Sequence, residues 1–137
     1  YKFIIGKGIK MTEGNDVTIV ATGHLVWEAL EASKSLYEEG ISAEVINIHT
    51  IKPLDDEMIL KSISKTRCIV SAEEHNYLGG LGESISRLIS LNNPIPQEFI
   101  ATQDTFGESG TPAELMDKYG LNSSSIINKV KKVISRK

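Results

Sequence analysis

Residues 17–21, VTIVA, are four β-branched residues closed by an alanine, with no charged break. A strand of this composition offers no polar face to water, so it belongs inside a sheet that is covered on both sides. Asn15 and Asp16 punctuate its start, and Thr22-Gly23 its end. The apolar period then changes. Across residues 24–39, Leu25, Ala29, Ala32 and Leu36 recur at spacings of three and four, which makes one helical stripe. Gly40 fits the carboxyl stop of that helix.

The same alternation continues. Residues 43–48 read as a strand. Pro53 blocks helix just after Ile51-Lys52, and Asp55 is placed to cap a helix over 56–64 with Met58, Ile59 and Ile63 on its apolar face. Residues 67–72 read as a third core strand. Leu81, Ile85, Leu88 and Ile89 give the face of a helix over 81–91. Residues 97–101 form a fourth strand after the turn formers Asn92-Asn93-Pro94. Thr111-Pro112 marks a helix start with proline at its first position, over 113–119. The last helix runs from 123 to about 136, with Ile126, Ile127, Val130, Val133 and Ile134 at helical spacing. Strands alternating with helices predict a parallel sheet with helices on both faces, and right-handed crossovers limit its topology. Residues 8–12 are a candidate fifth strand.

At 137 residues the chain is one domain by size and long enough to bury a core. A net charge of -3 argues against a nucleic-acid footprint. The one basic cluster, Lys129, Lys131, Lys132, Arg136 and Lys137, reads as a solvated helix face. The single cysteine, Cys68, allows no internal disulfide and fits a reducing compartment. Its apolar neighbours make it a small buried hydrophobe. No run approaches the ~20 apolar residues of a membrane span, and no signal peptide is visible. The chain opens on Tyr1 without methionine, which reads as a piece of a longer polypeptide whose missing part is N-terminal.

The candidate chemistry gathers after the strands. In RCIVSAEEHNYLGGLGES (67–84), the apolar strand stops at Glu73-Glu74-His75. A loop with Gly79, Gly80 and Gly82 then leads into a helix. Free amides at that helix start are a candidate anion site. Small residues also let the loop turn and the helix pack closely, and that packing reading is preferred. Neighbours in a strand point to opposite faces, so Glu73 and Glu74 are not read as a catalytic pair. An interface or loop-bracing cluster is the reading for them and His75. His24, His49 and His75 fall near strand ends but lack metal-ligand spacing. Phe106 in the polar loop 104–110 suggests a contact that covers it. Ser109 has no nucleophile-elbow context, and Asp104 and Glu108 read as loop braces. Trp27 on a helix flank would favour a partner surface if exposed. ATGHLVWEAL lacks GxGxxG, which argues against a dinucleotide. His24, Glu74, His75, Gly79, Gly80, Gly82 and Phe106 are therefore the candidate interface or anion-contact residues.

Four stretches in register resemble the C-terminal domain of transketolase. They are EGNDVTIVATG (13–23), INIHTIKPLDDEMI (46–59), EEH followed by GGLG (73–82), and DTFGESGTPAELMDKYGL (104–121). EEH with GGLG is similar to the small, split-type members. The resemblance implies a three-layer α/β/α fold with a five-stranded, mostly parallel mixed sheet, in which residues 8–12 run antiparallel at one edge. It implies one domain over 1–137, with 1–14 as linker and edge strand and 15–137 as core. The full enzyme would move a two-carbon ketol unit between sugar phosphates using thiamine diphosphate and Mg²⁺, the cofactor carrying the carbanion chemistry.

Such enzymes hold the diphosphate through Mg²⁺ with a GDG segment and a distant Asn, and place a glutamate against the cofactor from a separate domain. This chain has no GDG and no stretch resembling that domain. The expectation is a third domain with no catalytic, cofactor-binding or metal-binding residue of its own, inactive in isolation. Its expected partners are the remaining transketolase domains or an N-terminal subunit, in a cytoplasmic homodimer without nucleic acid or membrane. Two alternatives stay open within thiamine enzymes: the end of a 2-oxoacid dehydrogenase β subunit or of deoxyxylulose-phosphate synthase. FGESG and EEH favour transketolase. A free-standing binding or assembly module is the alternative of another class.

Overall fold

In the computed structural model, which describes residues 6–49, 51, 53–74, 80–101 and 121–137, the Val17–Ala21 run is a strand buried at every position. In chain order the elements are β1 (Ile9–Lys10), β2 (Val17–Ala21), α1 (Leu25–Glu38), β3 (Ala43–Asn47), α2 (Asp56–Thr66), β4 (Ile69–Ala72), α3 (Leu81–Asn92), β5 (Gln97–Ile100) and α4 (Ser123–Ser135). The sheet order is β1-β3-β2-β4-β5. β2 to β5 run parallel, and β1 pairs antiparallel with β3 through Ile9↔Asn47 and Lys10↔Ile46. The expected five-stranded mixed sheet with an antiparallel edge is what forms. The helix read over 113–119 lies outside the described residues.

Each face of the sheet carries its own core, as the period-2 geometry of the strands requires. Val17, Ile19 and Ala21 pack with α1 and with Ile126, Val130 and Val133 of α4. Val20, Ile46 and Ile69 pack with Ile59 and Ile63 of α2 and with Leu81, Ile85 and Leu88 of α3. This is the three-layer arrangement. One buried polar seam interrupts the second core. Thr18 Oγ1 lies 2.7 Å from Ser62 Oγ and 2.6 Å from Thr66 Oγ1, so the hydroxyls of β2 and α2 satisfy one another.

The helix ends follow local chemistry. Gly40, at φ +84°, closes α1, and the Ile41 amide donates to the Leu36 carbonyl at 2.9 Å. Asp55 caps α2 by accepting from the Met58 amide at 3.2 Å, and its other oxygen accepts from the Gly8 amide at 2.8 Å. One carboxylate thus starts a helix and ties down the segment leading into β1. The boundary between α2 and β4 differs from the sequence reading. α2 continues to Thr66, whose hydroxyl is held in the buried seam. Arg67 then sits at φ +64° as the cap, so β4 begins only at Ile69.

The basic cluster on α4 is also more tightly tied than a solvated face. Lys129 and Lys132 approach Glu98 Oε1 at 3.5 and 3.7 Å, and Arg136 hydrogen-bonds Glu98 Oε2. Lys131 pairs with Glu39 at 2.8 Å, and Lys137 donates to the carbonyls of Asp16 and Thr66. Burial pushes the Glu98 carboxyl up, but Arg136, Lys132 and Lys129 outweigh it and hold the group below its ordinary value.

A folded-state value below the unfolded one means that the unfolded chain binds the proton more readily. The stabilisation is therefore present above the unfolded carboxylate range and is lost as pH falls through the folded value. Glu98→Gln is expected to destabilise the chain by about 1–2 kcal/mol near neutral pH, discounted because the cations are partly exposed. The difference should shrink as pH falls below the ordinary carboxylate range and through the lowered folded-state value. Urea unfolding of both chains across that range measures it, and a pH-independent penalty would contradict the electrostatic account.

Candidate functional site at the carboxyl edge of the sheet

From β2 the chain moves outward to β3, then returns to place β4 on the other side of β2. Loops diverge at such a switch point and leave a crevice beyond the carboxyl ends of the strands. Here Gly23 follows β2, His49 follows β3, and Glu73-Glu74 follow β4. With Thr22, Asn47, Ile48 and Ile51 they line a cavity of about 530 Å³. Gly23 turns away from β2 at φ +58°, and a Cβ there would lie 3.8 Å from Glu74 Oε1.

Glu73 is 5% exposed. Its Oε1 accepts from the Leu81 amide at 2.9 Å and its Oε2 from the Gly82 amide at 2.6 Å. Those are first-turn amides of α3, which have no partner within the helix and carry the positive end of its dipole. The anion held at this helix start is thus the chain's own carboxylate. Gly82 also has the geometry of the packing reading. A Cβ at this position would lie 2.6 Å from Phe99 Cδ2 and 3.0 Å from Ser71 Oγ. Gln97 Nε2 braces the same spot, donating to the Gly82 carbonyl at 3.0 Å and to Ser71 Oγ at 3.2 Å.

Strand alternation sends the adjacent carboxylates to different tasks: Glu73 to α3, and Glu74, half-buried, toward Gly23. His24 is exposed immediately before α1 and lies apart from the cavity lining, whereas His49 is half-buried and belongs to that lining. Gly80 precedes α3, and Gly82 lies in its first turn. His75, Gly79 and Phe106 lie outside the described residues, as do Asp104, Glu108 and Ser109. The capping role of Glu73 had no local signal, because its partners stand eight and nine positions downstream. Thr22 and Asn47 likewise join the cavity only through the sheet.

Two carboxylates, an imidazole, an amide and a hydroxyl suit a hydrogen-bond donor or a cation. They do not suit a diphosphate, because like charge repels it and the nearest helix amides are already taken. Among the described residues, no three His, Cys, Asp or Glu side chains converge as a metal would need. Cys68 is buried, with Sγ 3.3 Å from the Asp16 carbonyl. Burial pushes its thiol up, so it is not a poised nucleophile.

Two substitutions measure these contacts. Glu73→Ala leaves two buried amides unpaired and should lose about 2–4 kcal/mol of stability. Gly82→Ala should lose about 1–3 kcal/mol through overpacking against Phe99. Chemical denaturation reads both. A Glu73→Ala chain as stable as the parent would show that the cap contributes nothing.

Residues 6–126 match the family model described as transketolase, C-terminal domain. A relative from Clostridium sp. (strain MSTE9), the 6-deoxy-6-sulfo-D-fructose transketolase subunit SqwH, is 42% identical over 136 residues, covering 99% of this chain and 42% of that protein. The 1-deoxy-D-xylulose-5-phosphate synthase 1 of Geobacter sulfurreducens is 39% identical over 124 residues, covering 89% of this chain and 20% of that protein. Among solved structures, a split-gene transketolase in an inactive β4 tetramer superposes with a TM-score of 0.95 at 42% identity, covering 100% of this chain and 45% of that one. The chain thus spans less than half the length of these relatives. On the family match and the fold together, the chain belongs to the transketolase C-terminal domain family.

Proposed function

We propose that this chain is the C-terminal section of a thiamine diphosphate-dependent transketolase, working as a scaffold and assembly domain rather than as the seat of the chemistry. The complete enzyme transfers a two-carbon ketol unit between sugar phosphates. One observation carries the reading: 42% identity to a transketolase subunit over 99% of the chain. The acidic crevice supports the division of labour. Its helix amides are committed to Glu73, and its lining does not fit a diphosphate. Thiamine diphosphate, when bound to the complete enzyme, supplies the carbanion chemistry, and Mg²⁺ holds its diphosphate there. Both are assigned to the remaining transketolase domains or an N-terminal subunit.

In this reading residues 1–137 form one domain, with 1–14 as linker and edge strand. The enzyme is a homodimer in the reducing cytoplasm, a compartment that suits the lone buried thiol of Cys68. Exposed His24 and half-buried Glu74 are the described residues assigned to contact with the partner polypeptide, and His75, Gly79 and Phe106 are assigned there from the sequence alone, whereas buried Gly80 and Gly82 are left to packing. The second reading is a deoxyxylulose-phosphate synthase end, favoured by 39% identity to that synthase over 124 residues.

Assaying the complete enzyme with xylulose 5-phosphate and ribose 5-phosphate, and separately with pyruvate as donor, divides the two. Ketol transfer between the sugar phosphates is expected, and turnover of pyruvate alone would replace the first reading by the second. The 137-residue chain by itself should give no heat on titration with thiamine diphosphate and Mg²⁺. Saturable micromolar binding would place cofactor contacts in this domain and overturn the scaffold role.

A further inference from the structure

Helix α1 turns Leu25, Val26, Ala29, Ala32 and Leu36 into the core. Its opposite face is unusual for a surface helix. Trp27 is 68% exposed and Tyr37 is 76% exposed. At 3.6 residues per turn, Trp27, Glu31, Lys34 and Glu38 follow one line along the helix, with Leu30 and Tyr37 beside it. Leu30, Lys34 and Tyr37 also wall a mostly apolar groove of about 480 Å³, closed on its far side by Thr12 and Ala43. Exposed aromatics around a shallow groove mark a protein-contact surface, since Trp and Tyr are enriched in such places.

The charges say what fits. Glu31 and Lys34 are both exposed, and neither joins any of the ion pairs found among the described residues. They sit on either side of the middle of the aromatic face. A twofold axis through that midpoint, perpendicular to the helix, lays an antiparallel copy of α1 across the first. Glu31 of each copy then meets Lys34 of the other, and Trp27 of each lies toward Tyr37 and Glu38 of the other. The surface is complementary to itself, the requirement of an isologous contact.

We propose that the outer face of α1, centred on Glu31 and Lys34 and flanked by Trp27 and Tyr37, is the surface through which this domain pairs with a second copy of itself. The inference rests on the homodimer reading above and adds which surface makes the contact. Each aromatic buries about 150–250 Å². Four of them account for roughly half of a standard interface, which suits a reversible contact that completes a larger assembly.

Trp27 is the only tryptophan in the chain, so its fluorescence reports this face alone. Sedimentation of the 137-residue chain from low micromolar to submillimolar concentration should show a dimer, with Trp27 emission moving to the blue and acrylamide quenching falling in step. Glu31→Lys and Lys34→Glu each place like charges opposite one another twice, and each should weaken the dimer by at least about tenfold. Mixing the two variants should restore pairing, because each then meets its complement. Circular dichroism of each variant checks that it folds. A dimer in which Trp27 stays fully quenchable and the charge variants change nothing overturns the α1 surface while leaving self-association standing. A chain that stays monomeric throughout also overturns it, and the size of the complete enzyme then decides the homodimer reading on its own. The ketol-transfer assay is independent of all these outcomes.

Discussion

The sheet rests on strands that no water can reach. β2 is buried at every residue, and β4 beside it is buried along its whole length. Neither strand can be stable with a bare face, so the rest of the chain has to supply cover on both sides. α1 and α4 close one face, and α2 and α3 close the other. Parallel pairing adds its own demand, since each return to the start of the next strand needs a crossover, and a helix is the economical form of one. The order β1-β3-β2-β4-β5, the two cores and the crevice at the carboxyl edge are consequences of that one constraint.

The crevice shows how this edge of the sheet satisfies its own helix amides. In many parallel sheets the first turn of the helix after a central strand meets a ligand's phosphate. Here the Glu73 carboxylate occupies that position, bonded to the amides of Leu81 and Gly82. A negative group fixed at the positive end of α3 stabilises the loop-to-helix corner and fills the place an external anion would need. The close approach of Gly82 to Phe99 and Ser71 locks the same corner by sterics.

Charge is used elsewhere as a fastening. Glu98 on β5 gathers Lys129, Lys132 and Arg136, and Glu44 on β3, 2% exposed, holds Lys65 and the Gly14 amide. Burial raises the Glu44 carboxyl, but its bonds to Lys65, Ser62 and Gly14 outweigh that and keep it below the ordinary value. Both clusters join a strand to a helix distant in sequence. They decide how helices sit on the sheet rather than whether they form. The exposed face of α1 is the contrast, carrying Trp27 and Tyr37 beside Glu31 and Lys34, which join none of the ion pairs among the described residues.

What the sequence determined by itself was the set of elements and their order. Apolar period is a local property, so VTIVA, the α1 stripe, the Asp55 cap and the Gly40 stop were all legible from neighbours a few positions apart. The family was legible too, because four motifs stood in register. Tertiary structure decided what depends on distant partners. Thr66 stays helical because Thr18 waits for its hydroxyl, which moved the start of β4 to Ile69. Glu73 became a cap rather than an acid–base group because the sheet brought α3 to it. Lys129, Lys132 and Arg136 converge on Glu98 because β5 lies beneath them. Hydrophobic pattern is written along the chain, whereas the pairing of buried polar groups and the self-complementarity of a surface exist only once the chain has been folded back on itself.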